Sequence, residues 1–394
     1  MSQDAKEIPG PALTRQQFLK TAGLMGVSFL METENSEAQT APGSASQMPA
    51  PASLTPPAPL PMTNTGSDQI PHKPLGKTGE TVSILGMGGH HLGDVKSVDE
   101  AVRMVQEAVD AGITFFDNCW EYWNGRSEDW LGRGLKGRRD RVFLMTKVCT
   151  HGRSGELGLQ MLDESLRRLQ TDHLDLWQVH AISFDNDPEL AYARGGILEA
   201  MDRAKKDGKV RFVGFTGHKD PGLHLKMIEL GYPFDTVQMP LNVFDANFFS
   251  FQHQVLPEAA RRGIGVLGMK PMGGTAESIK KGLVRPEELL RYAMSLPVAT
   301  TICGMDSPEV LRQNIQTARG FHPMAAQEML ALQNRLAPMA GDGRFEVYKV
   351  SLMFDNPETR RPHGFPIDPQ QKEVKEMFQH PVGLPGPDQT VAQP

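Results

Sequence analysis

The feature that most constrains the fold is a repeated alternation of short apolar runs with longer stretches, between His72 and about Gly320. In the longer stretches the apolar residues recur every three to four positions, which is typical of helices that pack one face on a sheet. Short apolar runs are typical of buried parallel strands. The span is close to the roughly 250 residues of an eight-stranded α/β barrel. We therefore predict a single (β/α)8 barrel of the TIM type.

Each apolar run is predicted to be a strand, and each strand is expected to be followed by a helix. The predicted strands are Val82–Met87, Ile113–Asp117, Val142–Lys147, Leu174–His180, Val210–Thr216, Thr236–Gln238, Gly265–Met269 and Thr300–Cys303. The clearest predicted helices are Val98–Ala111, Ser127–Leu135, Leu157–Leu169, Gly196–Lys206, Gly222–Leu230, Pro286–Leu296 and Pro308–Ala318. Ser97 and Glu100 form a capping pattern at the start of the first of these helices.

The flanks of the barrel differ from it in composition. Residues 1–41 contain the run Thr14–Lys20 and a short apolar stretch, and together they resemble a twin-arginine export signal in which Gln16 replaces the second arginine. A linker rich in Pro, Ala, Ser and Thr spans 42–70, the barrel is assigned to 71–340, and a C-terminal tail covers 341–394. We expect weakened export to the periplasm. The alternative is a cytoplasmic protein.

Charge and composition exclude several classes of protein. The chain has 41 Lys and Arg against 47 Asp and Glu, a net charge of -6, which lacks the basic footprint of a nucleic-acid binder. The three cysteines, Cys119, Cys149 and Cys303, match neither a disulfide framework nor a metal-ligand set, so we expect buried thiols. No apolar run approaches the roughly 18 to 20 residues of a membrane-spanning helix. We expect a soluble globular protein, and nothing in the sequence indicates its oligomeric state.

Polar residues end three neighbouring predicted strands. Asp117, Lys147 and His180 close them, and Tyr122 lies in the loop after Asp117. Chemistry in such barrels sits at the carboxyl ends of the strands, so these four side chains should converge. We expect the Lys147 ammonium to lower the pKa of the Tyr122 phenol, with Asp117 as its counter-charge. A neutral His180 would hydrogen-bond the substrate oxygen.

At these residues the chain resembles the aldo/keto reductases. The motifs that carry the resemblance are Phe115–Tyr122 with Gly125–Glu128, the opening Leu75–Gly79 and Leu85–Gly88, and the run from Leu162–Leu169 to His180. The resemblance covers the span from about His72 to Gly320. It implies that Asp117, Tyr122, Lys147 and His180 form the family's catalytic tetrad. Tyr122 would be the general acid in carbonyl reduction and the base in alcohol oxidation, and the partner would be a small carbonyl or alcohol.

The resemblance also implies a nicotinamide dinucleotide bound in an extended pose across the strand ends. The matching positions are Thr216, Gln238, Met269, Lys270, Pro271, Met272, Gly273, Gly304, Gln313 and Asn314. Thr216-Gly217 stands where the family has Ser-Asn, and Met269 where it often has a stacking aromatic residue. Lys270 and the following glycines suit a pyrophosphate. The loop from Gly304 to Ser307 holds no basic residue, so NADP, which the family favours, and NAD both stay open.

The substrate pocket is expected to be lined by loop and tail residues. The candidates are Trp120, Trp123, His90, His91, His218 and the segment Arg344–Phe365. They would suit a polar carbonyl compound such as an aldehyde or a sugar-derived ketone.

The sequence is also compatible with two other functions. A metal-dependent barrel hydrolase could use His90, His91, His180 and His218 with Lys147. Against it, the adjacent residues His90 and His91 should point to opposite sides of an extended strand. We expect no catalytic metal, since the tetrad supplies the acid and its electrostatic tuning. The other alternative is a barrel that binds the cofactor but has a regulatory or structural role.

Overall fold

The structure is a computed structural model that describes residues 57–149 and 153–351. The export-signal-like segment and the Pro-rich end of the tail lie outside the described residues. The division of the chain at residues 41, 70 and 340 stays a prediction. Among the described residues, no helix is both long enough and apolar enough to cross a membrane.

The predicted barrel is confirmed. A short antiparallel hairpin comes first, formed by β1 (His72–Pro74) and β2 (Thr81–Ser83). The barrel strands are β3 (Leu85–Gly88), β4 (Phe115–Asp117), β5 (Phe143–Val148), β6 (Leu174–Ile182), β7 (Val210–Gly217), β8 (Thr236–Pro240), β9 (Gly265–Met269) and β10 (Thr300–Gly304). They pair in parallel in chain order, and β10 closes the barrel on β3.

Helices follow the strands along the chain. They are α1 (Gly89–Leu92), α2 (Val98–Asp110), α3 (Arg126–Gly134), α4 (Gly155–Leu169), α5 (Asp187–Tyr192), α6 (Ile197–Lys206), α7 (Pro221–Glu229), α8 (Phe251–Arg261), α9 (Glu277–Lys280), α10 (Pro286–Ser295), α11 (Pro308–Ala318), α12 (Ala326–Ala340) and α13 (Val347–Val350). The seven predicted helices are present within two residues of their expected ends. The Ser97 hydroxyl accepts from the Glu100 amide, as its capping pattern predicts.

The prediction of one strand over Val82–Met87 is wrong. The chain turns at Ile84, between β2 in the hairpin and β3 in the barrel. Ser83 stabilises this turn, because its hydroxyl donates to the Leu85 carbonyl at 2.7 Å and accepts from the Thr114 amide at 2.9 Å. The apolar run Val82–Met87 is therefore divided between two strands, β2 and β3.

The hairpin closes one end of the barrel. Its Leu75 and Val82 belong to the same buried cluster as Phe115 and Leu267 of the barrel interior. Gly76 has a φ of +55°, and a Cβ there would lie 2.4 Å from the amide nitrogen of Gly265, the first residue of β9. The hairpin thus covers the amino ends of the strands, and the carboxyl ends are left for a site.

Two long helices, α8 and α12, are present that the sequence patterns do not predict. Each contains a proline, Pro257 in α8 and Pro338 in α12, a residue that usually ends a helix. Beyond α12, part of the predicted tail packs on the barrel, because Phe345, Val347 and Tyr348 are buried.

Candidate active site

The barrel brings the predicted strand-end residues to one edge. Asp117 is the last residue of β4, Lys147 is the fifth of the six residues of β5, and His180 lies near the end of β6. Their exposed fractions are 3%, 1% and 4%. Charged groups this deeply buried need partners, so the contacts among them define the site.

Lys147 links Asp117 to Tyr122. Its Nζ lies 2.7 Å from Asp117 Oδ2 and donates to the Asn118 carbonyl at 2.7 Å and to Tyr122 Oη at 3.3 Å. The ammonium is therefore paired with a carboxylate and also touches the phenol oxygen. Three of the four predicted residues form one hydrogen-bonded group.

Tyr122 departs from the expected electrostatics. Burial raises the pKa of its phenol well above the ordinary value, and the negative charge of Asp117 adds to that effect. The ammonium of Lys147 favours the phenolate, but loss of water and the nearby carboxylate outweigh it, so the net lowering of this pKa that the sequence predicts is wrong. Tyr122 is thus held as a protonated phenol. It begins a turn in which Trp123 and Asn124 adopt the left-handed conformation, with φ of 54° and 53°.

His180 faces two partners that the sequence did not reveal. Its Nδ1 lies 3.0 Å from Glu121 Oε1 and 3.3 Å from Cys119 Sγ. Burial lowers the pKa of the imidazole, and Glu121 opposes that shift. Glu121 could have been found from its position next to Tyr122 in the loop after β4, but no sequence pattern pairs it with a histidine on another strand.

The end of β6 is held by a second buried pair that sequence reasoning missed. Ala181 has a left-handed φ of 53°, which is strained for a residue with a Cβ. Arg153 donates to the carbonyls of His180 and Ala181, both at 2.7 Å, and to Asp187 Oδ1 at 2.9 Å. The arginine fork therefore fixes the backbone that carries His180.

Aromatic and imidazole rings form an arc around the tetrad. Successive ring centroids along it are 5 to 6 Å apart, from His91 through His90, Tyr122, His180 and His218 to Tyr348. Trp123 lies at the rim with 40% of its surface exposed and its ring 6.0 Å from that of His90. Trp120 does not line this arc, because its indole donates to Glu164 on α4.

The prediction that His90 and His91 point to opposite sides of a strand is wrong. They lie on the single helical turn α1, with their ring centroids 5.3 Å apart. Burial lowers the pKa of His90 to about 4, and the charges of His91 and Lys270 contribute.

Several predicted cofactor positions lie beside the tetrad. Gln238 Nε2 donates to Asp117 Oδ2 at 3.2 Å and lies 3.6 Å from Met269 Sδ. Its buried Oε1 has no hydrogen-bond partner among the described residues. Thr216 Oγ1 accepts from the Ala181 amide at 3.1 Å. Burial and the charge of Lys147 lower the pKa of Lys270 to about 8.

Other predicted positions lie farther along the rim. Pro271 is buried, Met272 is half-buried against the core, and Gly273 has a φ of +76° with the Phe345 carbonyl 2.7 Å from where its Cβ would be. Gly304 lies against the His91 ring, and Asn314 donates to Cys303 Sγ at 3.4 Å. Gln313 is exposed, and its amide donates to Glu287 on α10, so its side chain is directed to the neighbouring helix.

The tail segment adds a buried charge cluster to the rim. Lys349 Nζ donates to Asp245 Oδ1 at 2.7 Å, to Glu346 Oε2 at 2.8 Å and to the Phe248 carbonyl at 2.8 Å. The Gly274 amide donates to the Phe345 carbonyl at 2.7 Å. These contacts fasten the tail to the loops that follow β8 and β9.

The side chains that could bind a metal are not the set that the hydrolase alternative predicts. Among the described residues, Cys119, Glu121 and His180 each place one ligand atom within 4.8 Å of the others. His90, His91 and His218 are not part of that cluster. The imidazoles predicted for a zinc hydrolase therefore do not converge on one point.

Comparisons with known proteins agree on one protein family. A profile described as the aldo/keto reductase family matches residues 84–288. L-galactose dehydrogenase of Arabidopsis thaliana is 32% identical over 225 residues, which cover 52% of this chain and 66% of that enzyme, so the chain spans just under two thirds of it. An uncharacterized oxidoreductase of Bacillus subtilis, YqkF, is 26% identical over 301 residues, 66% of this chain and 94% of that protein.

Solved structures share the fold. The holo form of an aldo-keto reductase from Bacillus halodurans has a TM-score of 0.57 at 24% identity, covering 67% of this chain and 95% of that chain. An aldo-keto reductase from Klebsiella pneumoniae in complex with NADP and acetate has a TM-score of 0.54 at 22% identity, covering 66% and 92%. Because the family profile matches more than half of its 394 residues, the chain belongs to the aldo/keto reductase family.

Proposed function

We propose that the protein is an NAD(P)-dependent oxidoreductase that interconverts an aldehyde or ketone and the corresponding alcohol. The observation that carries the proposal is the position of Lys147 Nζ, 2.7 Å from Asp117 Oδ2 and 3.3 Å from Tyr122 Oη. A protonated phenol beside a paired ammonium is a proton donor for a carbonyl oxygen that gains negative charge. In the opposite direction the phenolate form of Tyr122 would receive the proton of the alcohol, which restores the phenol.

The proposed cofactor is NADP, or NAD, which supplies or takes up the hydride when bound. Gln238 fits the nicotinamide carboxamide, because its buried Oε1 is an acceptor without a partner and the carboxamide offers N–H donors. Thr216 and Met269 lie beside it, and Lys270 and Gly273 suit the pyrophosphate by charge and by close backbone approach. Two solved structures of Klebsiella pneumoniae aldo-keto reductase with this fold are complexes with NADP or NADPH.

Replacing Tyr122 with Phe tests the assignment of the general acid. The Tyr122→Phe variant lacks the proton donor, so we expect turnover of carbonyl substrates to fall by about 10²-fold or more. Cofactor binding should be retained, since the phenyl ring remains. Turnover is measured from the absorbance of the reduced nicotinamide with a panel of carbonyls and both cofactors.

The matched control is Tyr232→Phe, because the Tyr232 hydroxyl pairs with Asp202 outside the site. Its turnover should be that of the native protein. Unchanged turnover in Tyr122→Phe would reject the role of Tyr122, and tight cofactor binding without turnover of any carbonyl would favour a regulatory role. Chelation should leave activity unaltered, whereas a stoichiometric zinc required for turnover would favour the hydrolase.

A further inference from the structure

The tail segment Phe345–Lys349 is fixed in the rim of the barrel by buried charges. The Lys349 ammonium and its two carboxylate partners, Asp245 and Glu346, have at most 1% of their side-chain surface exposed. A buried cation is stable only while its carboxylates and hydrogen bonds stay with it. Lys349 therefore anchors this segment, which we call the tail clamp.

The tail clamp holds the loop that follows β9 at both ends. This loop, Lys270–Gly274, is called the β9 loop. The amide of its last residue donates to the Phe345 carbonyl at 2.7 Å. The carbonyl of its first residue accepts from Asn242 Nδ2 at 3.2 Å, and the same nitrogen donates to Glu346 Oε1 at 3.1 Å. The position of the β9 loop therefore depends on the clamp.

The backbone of the β9 loop fits closely against the tail clamp. A Cβ on Gly273 would lie 2.7 Å from the Phe345 carbonyl oxygen, and a Cβ on Gly274 would lie 3.0 Å from Val347 Cγ2. Lys270 has a left-handed φ of 58°, a strained conformation for a residue with a Cβ. Such a conformation persists only where neighbouring contacts hold it, and in this loop the tail clamp supplies contacts of that kind.

The β9 loop lies between two groups of predicted cofactor positions. β9 pairs with β8 on one side and with β10 on the other. Thr216 and Gln238, on the predicted nicotinamide side, belong to β7 and β8. Gly304 and Asn314, on the predicted adenosine side, belong to β10 and α11. A dinucleotide that reaches both groups must pass the β9 loop.

The order of the β9 loop should affect how long a dinucleotide stays bound. A loop that is already ordered makes its contacts without an entropy cost, whereas a mobile loop must be ordered on binding. Differences of this kind change mainly the rate of dissociation. We propose that Lys349 is a positioning residue that holds the β9 loop in place, so that bound NADP or NAD is released slowly. This inference rests on the proposed function and adds that the tail retains the cofactor.

The Lys349→Met variant tests the inference through the release of cofactor. Full-length protein loaded with NADPH is mixed with excess NADP, and the change in NADPH fluorescence gives the dissociation rate. NADH and NAD are used in the same way. We expect dissociation from Lys349→Met to be about tenfold faster than from the native protein, because the clamp loses its anchor.

The Glu346→Ala variant is a milder change to the same clamp. It removes the carboxylate that accepts from Asn242 and keeps the pair of Lys349 with Asp245. Dissociation should be about threefold faster than from the native protein. If Lys349→Met does not fold, the same measurements on Glu346→Ala decide the question.

Arg139→Met is the matched control for the loss of an ion pair. Arg139 lies 2.9 Å from the buried Asp175, which is at the amino end of β6 and so at the opposite end of the barrel. This variant should lose stability and release the cofactor at the native rate. If Lys349 has only a structural role, Lys349→Met will behave in the same way, and the inference will be overturned.

Hydrogen exchange of the Gly274 amide measures the hold on the loop without any cofactor. Exchange should be about tenfold faster in Lys349→Met than in the native protein, because the Phe345 carbonyl no longer stays in place as its acceptor. Equal exchange, or equal release rates in the native protein and both tail variants, would overturn the inference and leave the proposed function standing. Native protein that binds neither NADPH nor NADH would reject the proposed function and this inference with it.

Discussion

The phenol of Tyr122 shows how burial and charge compete at a single atom. Lys147 is only 3.3 Å from the oxygen, yet the pKa is raised because the phenolate would lose water and face Asp117. Lys147 is itself balanced by Asp117 at 2.7 Å, so little of its positive charge is left uncompensated. Asp117 therefore controls the pKa of Tyr122 directly and through Lys147.

Replacing Asp117 with Asn should move the pH profile of carbonyl reduction. Reduction needs the protonated phenol, so the rate falls at alkaline pH as Tyr122 ionises. Asp117→Asn removes an anion that raises the pKa of Tyr122 and leaves Lys147 unbalanced, and both changes lower that pKa. The alkaline decline of kcat/KM should therefore begin at lower pH than in the native protein.

The surface variant Asp110→Asn serves as the control, because Asp110 pairs with Arg141 away from the site. Its alkaline decline should coincide with that of the native protein. A decline in Asp117→Asn at the native pH, or above it, would show that this carboxylate does not govern the ionisation of Tyr122.

At the scale of elements, the end of β6 depends on a buried ion pair. Arg153 and Asp187 are both almost fully buried, and their contact is 2.9 Å. Asp187 Oδ2 also accepts from the amides of Ser183 and Phe184, at 2.7 and 2.8 Å. The pair therefore joins the segment before α4, the end of β6 and the start of α5.

Breaking this pair from one side should be costly. Arg153→Met leaves the Asp187 carboxylate buried without its counter-charge, so we expect the free energy of unfolding to fall by about 3–5 kcal/mol. The double variant Arg153→Met with Asp187→Asn should lose less unfolding free energy than the sum of the losses in the two single variants, because the two residues act as a unit. Denaturant unfolding followed by tryptophan fluorescence measures these differences.

The Arg141→Met variant provides a matched loss of a surface ion pair, with an expected cost of about 0–1 kcal/mol. A loss in Arg153→Met no larger than this would contradict a stabilising role for the buried pair. Additive losses in the double variant would show that Arg153 and Asp187 act independently.

At the scale of the whole molecule, the spacing of apolar residues predicts the barrel. The rule that chemistry lies at the carboxyl ends of barrel strands predicts where the four tetrad side chains lie. Each apolar run can be recognised from neighbouring residues alone. A parallel barrel brings the carboxyl ends of its strands to one edge regardless of the loop conformations. The contacts of Glu121 and Arg153 depend on side chains that meet only after the chain has folded. The same is true of Lys349, which reaches Asp245 from far along the chain. No regular spacing in the sequence identifies such pairs.

The N-terminal residues lie outside the described part of the chain, and their role stays a proposal drawn from the sequence. Arg15, Phe18-Leu19-Lys20 and the apolar stretch after them resemble a twin-arginine signal with Gln16 in place of the second arginine. That route exports folded proteins. It would suit a protein that must acquire its dinucleotide in the cytoplasm, because soluble cofactor is scarce outside.

We propose that the full chain is exported weakly, and fractionation of cells that express it measures the periplasmic share. Arg15→Lys should lower that share, because it removes the one arginine of the motif. Gln16→Arg should raise it, because it restores the arginine pair that the signal requires. Both changes lie far from the barrel in sequence, so the reductase activity of the purified proteins should match. Protein found only in the cytosol, uncleaved and unaffected by either change, would count against export and make residues 1–70 a dispensable extension.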